Sequence, residues 1–224
     1  MLRAEGLSRE FYRETGSSSR FVAVKPTDLT LDDGTLTMLT GRSGSGKTTL
    51  LNMICGLLQP TTGKVLLNGE DICSLPDSSL SKLRGERIGI IPQGQTALHS
   101  LTVMENVLLS YKIYGEPPKE AEEAACQLLE RLDILQLRDV MPRELSGGEL
   151  RRMAIARALV RKPGLILADE PTGDLDDENT REVFTLLRDC AKEGAAVLIV
   201  THESDAGQYA DRVLKMSSGE LELS

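Results

Sequence analysis

The sequence has no tryptophan, and its phenylalanines and tyrosines bring aromatic content to only 3%. Its core must therefore be aliphatic. The four cysteines, Cys55, Cys73, Cys126 and Cys190, are scattered, with no Cys-x-x-Cys pair and no cluster with histidine. That excludes a site built on paired thiols, and the cysteines read as small hydrophobes in a reducing, cytosolic compartment. No apolar run approaches the roughly 18 residues of a membrane span. Met1–Glu5 shows no signal-peptide pattern, so any membrane role has to come through a partner. A basic excess is missing too: the formal net charge is −8, against the positive field expected of a protein that grips nucleic-acid phosphates.

What is present is an ordinary globular balance, 40% hydrophobic and 27% charged over 224 residues. One domain or two small lobes would fit that length. Either could bury roughly 70–75% of the surface of the unfolded chain. Phe21–Val24, Asp28–Leu31 and Thr35–Thr40 read as short strands, the last running into Gly41. Lys47–Leu58 reads as a buried helix stopped by Pro60 and Gly63. Lys64–Leu67 returns to strand character, and Asn68-Gly69 marks a tight turn. Thr15–Ser19 reads as a turn between the early strands.

Pro117–Leu137 has helical spacing, and a second helix is expected after Ser146-Gly147-Gly148, continuing to Arg161. Residues from about Gln95 to Arg161 thus form a helical lobe inserted in an α/β core. The core resumes with the apolar strand Leu165–Ala168, a helix at Glu178–Glu193 and the strand Ala196–Thr201. Arg212–Met216, a Ser-Ser-Gly turn and Glu220–Leu223 complete it. Strands alternating with helices predict a mostly parallel sheet covered on its faces.

Gly41-Arg42-Ser43-Gly44-Ser45-Gly46-Lys47-Thr48 matches the phosphate-loop pattern G-x-x-x-x-G-K-[ST]. Glycines let backbone N–H groups wrap a phosphate chain, and the helix N-terminus behind them adds a favourable dipole. Lys47 supplies a positive charge to the outer phosphates, and the Thr48 hydroxyl suits magnesium. With Thr49, this loop is expected to hold a purine triphosphate. Leu165–Ala168 ends in Asp169-Glu170. Acids at the carboxyl end of a parallel strand face the ligand crevice. Asp169 is placed for magnesium and Glu170 for polarising the attacking water. Leu145-Ser146-Gly147-Gly148-Glu149 is either a plain N-cap, with Ser146 capping, or a second phosphate-binding helix end.

The order of these segments decides between those readings. Phosphate loop, Gln93 after Ile90-Ile91-Pro92, Leu145–Glu149, Leu165–Glu170, Gly173–Asp176 and His202 after Val200-Thr201 together resemble the ATP-binding cassette family. These are the nucleotide-binding domains of ABC transporters, and the likeness covers essentially the whole chain. It implies an α/β P-loop NTPase of ABC type, with a mostly parallel core, an antiparallel β subdomain and an inserted α-helical subdomain. In one ABC ATPase domain over 1–224, residues 1–94 and 162–224 would form the core and about 95–161 the helical subdomain. The chain is then expected to hydrolyse ATP with Mg2+ as cofactor.

The resemblance also carries roles. Gln93 matches a glutamine that contacts magnesium and water and senses the membrane partner. Ser146, Gly147, Gly148 and Glu149 match a signature that contacts the γ-phosphate bound by the opposite subunit. Asp174 and Asp176 fall in a loop crossing the dimer interface. His202 resembles a switch histidine that contacts the γ-phosphate and orients Glu170. Phe11 falls where an aromatic stacks on adenine, with Tyr12 a lesser candidate. The chain departs from the family at Arg42, Pro92 and Glu149, and in Leu150-Arg151-Arg152, where a glutamine-rich version is common. None of these removes a phosphate or metal ligand.

Leu50-Leu51-Asn52-Met53, Leu101–Val107 and Pro171–Asp176 are similar to the branch serving lipoprotein release, macrolide export, peptide resistance and cell division. That implies a second copy in an ATP sandwich, and a four-helix permease with a large external domain. It also implies peripheral attachment at the cytoplasmic face of a bacterial membrane and no nucleic-acid partner. The alternative is a soluble cassette acting on DNA or ribosomes. The interval from Gln93 to Leu145 has no room for the coiled coil of chromosome-type members, and the single cassette does not match translation-factor types. A kinase or GTPase would explain neither Leu145–Glu149 nor His202, and no guanine-reading Asn/Thr-Lys-x-Asp occurs. His99 reads as a surface loop residue.

Overall fold

The computed structural model describes residues 1–13, 19–94, 96–113, 115, 117–173, 175–202 and 204–223. Asp174 and residues 15–18 of the expected early turn lie outside the described residues. The chain opens with strands β1 (Leu2–Arg13) and β2 (Ser19–Leu31), and β3 (Leu36–Thr40) then leads into helix α1 (Lys47–Ile54). A hairpin follows, β4 (Thr62–Leu67) and β5 (Glu70–Asp71). Asn68 and Gly69 turn it at φ 51° and 87°, the left-handed pair a two-residue hairpin needs. Helix α2 (Asp77–Arg87) runs into β6 (Ile88–Ile91). Helices α3 (Val103–Val107), α4 (Leu109–Lys112), α5 (Lys119–Arg131) and α6 (Gly147–Leu159) precede β7 (Leu165–Asp169). The last elements are α7 (Asp177–Lys192), β8 (Ala196–Val200), β9 (Arg212–Ser217) and β10 (Glu220–Leu223).

Two sheets result. One is antiparallel, in the order β2-β1-β4-β5, and the other has six strands in the order β10-β9-β3-β8-β7-β6. In the larger sheet every pairing is parallel except β10 with β9. The apolar runs at β7 and β8 are buried on both faces, as parallel strands covered by helices must be. Ile166, Ala168, Val197 and Ile199 face one core with α5, α6 and α7. Leu165, Leu167, Leu198 and Val200 face the other, with α1 and the antiparallel strands. That split is the two-residue side-chain period of a strand.

Helix lengths differ from the sequence expectation where a left-handed residue ends them. The α1 helix stops at Ile54 instead of Leu58. Gly56 takes φ 70°, and Leu57 N–H reaches back to Asn52 O at 2.9 Å, the bond pattern of a Schellman cap. The helix expected to reach Leu137 stops at Arg131. Here Asp133 does the same at φ 51°, with Ile134 N–H on Leu129 O at 2.9 Å. Leu132-Asp133-Ile134 carries no glycine signal, so that stop was not visible in the sequence. The strands expected at Phe21–Val24 and Asp28–Leu31 form one strand through Pro26. Register shifts near Thr27 leave its missing N–H without a ladder position.

No helix among the described residues is long and apolar enough to cross a membrane. The cysteines are free, and Cys55 is fully buried. Burial pushes the Cys190 thiol up to about 11. His99 is exposed, as expected.

Candidate active site

Strands β3, β6, β7 and β8 run parallel, so their carboxyl ends share one edge of the sheet. That edge delivers the loop starting at Gly41, then Gln93, then Asp169 and Glu170, then His202. Leu39 and Asp169 both register with Val200 on the intervening strand. Two bonds hold the ends in line: Glu170 N–H donates to Val200 O at 2.8 Å, and Thr201 N–H donates to Leu39 O at 3.2 Å.

A cavity of about 820 Å³ opens there. It is lined by Phe11, Gly41–Gly44, Gly46–Thr49, Gln93, Asp169, Glu170 and His202. Ser45 lies buried just beneath. The loop needs its glycines. At Gly41, φ is 152° and a Cβ would come within 2.3 Å of Met216 O. At Gly46, φ is 108° and a Cβ would come within 2.4 Å of Ala23 O. Lys47 is 9% exposed. Its ammonium donates to Gly41 O at 2.7 Å and Arg42 O at 3.1 Å, the acceptors a buried cation requires.

Thr48 Oγ1 donates to Asp169 Oδ2 at 2.7 Å. A hydroxyl and a carboxylate converging inside a phosphate-sized cavity are the hard oxygen donors that suit magnesium. Burial pushes the Asp169 carboxyl above its usual range, and the Thr48 bond works against that rise. Glu170 sits at φ 49°, a left-handed backbone that a non-glycine residue adopts only when its surroundings impose it. Its Oε1 lies 2.9 Å from His202 Nδ1. Its Oε2 is buried and has no protein hydrogen-bond partner. One carboxylate oxygen is thus oriented and the other is available to accept a proton.

The sequence profile of the family described as "ABC transporter" matches residues 24–173. The lipoprotein-releasing system ATP-binding protein LolD 1 of Rhodopseudomonas palustris is 38% identical over 223 residues, 99% of this chain and 98% of that protein. The chain belongs to the ABC transporter family. Among solved structures, the dimeric bacterial ABC transporter cassette MJ0796 superposes with a TM-score of 0.91 at 31% identity. The match covers 100% of this chain and 98% of that one. The same cassette solved as a post-hydrolysis dimer with ADP and Pi matches equally well. The present chain is thus an ATP-hydrolysing cassette with the ABC-type P-loop fold.

Within a single cassette the other described site candidates do not line the cavity. Ser146, Gly147, Gly148 and Glu149 do not line it. They form a capping box at the start of α6. Ser146 Oγ accepts from Glu149 N–H at 3.3 Å, and Glu149 Oε2 accepts from Ser146 N–H at 2.7 Å. The bonds that the Ser146 N–H and, at 2.8 Å, the Ser146 hydroxyl donate to the Glu149 carboxyl hold it below its usual range. Asp176 caps α7, accepting from Asn179 N–H at 2.9 Å, and Arg152 binds the Asn179 amide oxygen at 2.7 Å. Tyr12 is 71% exposed and does not line the cavity.

Of the lining residues to which the sequence reading gave no site role, two bring an aromatic ring or a charge. Phe21 pairs with Phe11 across β1 and β2, giving the cassette a second aromatic beside the first. Arg9 lies over the Phe11 ring at 4.8 Å. The other is Arg151, buried in α6 and lining the cavity floor. Its signal was a charge among apolar neighbours: Leu150, Met153, Ala154 and Ile155 around it are all buried.

Proposed function

We propose that this chain is the energy-coupling ATPase of a bacterial membrane complex of the lipoprotein-release kind. The carrying observation is the end-to-end likeness to a lipoprotein-releasing ATP-binding protein, joined to a cavity that gathers the phosphate loop, Asp169, Glu170, Gln93 and His202. Two copies close head to tail over two ATP molecules. Ser146–Glu149 of each copy then meet the γ-phosphate held by the other, and Asp174 and Asp176 lie at the joint. Phe11 stacks on adenine.

Gly41–Thr49 wrap the phosphates, and Lys47 turns its ammonium from its own loop carbonyls to the outer phosphates. Thr48, Asp169 and Gln93 hold Mg2+, which when bound neutralises charge on the phosphate oxygens. Glu170 takes a proton from the water that attacks the γ-phosphorus in line, while the bond to the bridging oxygen breaks and ADP leaves. His202 keeps the Glu170 carboxylate aimed. The core (1–94 and 162–224) and the helical subdomain (about 95–161) are one cassette. It docks from the cytoplasmic side on a four-helix permease with a large external domain, which moves when the dimer closes. Nucleic acid is not a partner.

The test is co-purification. Tagged chain, expressed with a candidate permease of four predicted spans and a large external domain, is expected to come from membranes in a stable complex and to be absent from ribosome and DNA fractions. Recovery only with ribosomes or DNA would overturn the membrane assignment.

A further inference from the structure

We infer that Arg151 is a positioning residue that ties the Gln93 loop to the acidic end of β7 through main-chain carbonyls. The β6–β7 ladder has its last register pair at Ile91 and Ala168. Just beyond it, carbonyl oxygens from both departing chains converge on one guanidinium. Arg151 Nη1 donates to Pro92 O at 2.5 Å and reaches Gly94 O at 3.5 Å, on either side of Gln93. Its Nη2 donates to Asp169 O at 2.9 Å and also to Glu170 O. Its Nε donates to Pro171 O at 2.9 Å.

Five N–H groups in a rigid planar fork meet five carbonyls, a match that only arginine provides. The side chain is 5% exposed, and its bonds to Asp169 O and Pro171 O are buried, so these two carbonyls have little water to turn to. Because the bonds go to main-chain oxygens, the Asp169 carboxylate stays with Thr48 and the Glu170 carboxylate with His202. Arg151 therefore fixes where both acids and Gln93 start from, without occupying their reacting atoms. It stands in the Leu150–Arg152 segment, whose sequence departs from the glutamine-rich version. The inference rests on the roles proposed for Gln93, Asp169 and Glu170.

The test uses the full chain as wild type, R151M, R151K and E170Q. Methionine keeps length and removes every donor, whereas lysine keeps the charge and three donors. In R151M, ATP binding without metal is expected to stay at one per chain with an affinity within about threefold. Turnover at saturating MgATP should fall on the order of 10- to 100-fold, the scale of losing bonds to a charged group. The Mg2+ concentration for half-maximal turnover should rise. R151K should recover most of the lost turnover.

Unchanged turnover and Mg2+ dependence in R151M would overturn the inference. So would a loss of metal-free binding sites in proportion to activity, which marks a general structural prop. If R151M does not fold, R151Q, which keeps one amide donor group, is judged by the same criteria. An inert E170Q beside an unaffected R151M sinks the tether alone, whereas a fully active E170Q sinks the base assignment beneath it.

Discussion

A Glu170→Gln chain is expected to bind MgATP as tightly as the unaltered chain and to hydrolyse it about 10²–10⁴-fold more slowly, the usual contribution of a general base. The geometry makes this substitution selective. Glutamine keeps the side-chain shape, and its amide can still meet His202 Nδ1, which lies 2.9 Å from Glu170 Oε1. The left-handed backbone at Glu170 and its N–H bond to Val200 O are main-chain features and survive. What changes is Oε2, the buried oxygen without a protein partner, because an amide nitrogen cannot take a proton from water. Single-turnover hydrolysis measured beside equilibrium binding separates the two quantities. Equal hydrolysis by the two chains would remove Glu170 from the reaction.

Lys47→Ala is expected to weaken ATP binding about 10- to 100-fold, the worth of one or two bonds to a charged group. The ammonium donates to Gly41 O and Arg42 O, which leaves one of its three N–H groups to spare. Alanine removes the only lysine lining the cavity among the described residues and leaves the glycine turns intact. Titration with a non-hydrolysed ATP analogue should show the loss, with a thermal unfolding midpoint near that of the unaltered chain. A dissociation constant within twofold of the original would mean that the phosphates lie elsewhere.

The parts of the site legible in the sequence are those whose chemistry is local. Gly41–Thr48 declares itself because a strand end, a glycine turn and a helix start must be contiguous to wrap a phosphate. Leu165–Glu170 declares itself because a strand buried on both faces is an unbroken apolar run, which makes two acids at its end conspicuous. Glu149 was visible as a departure from glutamine. Its capping box with Ser146 explains locally why an acid is tolerated, since a carboxylate accepts the N-cap N–H well.

The missing parts depend on distant partners. β1 was not read as a strand, because Gly6 and three register shifts break its alternation. α2 was passed over because it buries only Leu80 and Leu83, too sparse an apolar stripe to show a period. Arg151 was named only as a departure, since its acceptors come from residues 92, 94, 169, 170 and 171. No short window of sequence contains them all. The signature Ser146–Glu149 lies away from the cavity of its own chain, and the roles proposed for it need a second copy.

That second copy is the point on which the account turns. Sedimentation velocity of the Glu170→Gln chain, run with MgATP, with MgADP and without nucleotide, tests it directly. The account predicts monomers without nucleotide and with ADP, and a shift to twice the monomer mass with ATP. A chain that binds one ATP yet stays monomeric at high concentration, alone and with its permease, would contradict it.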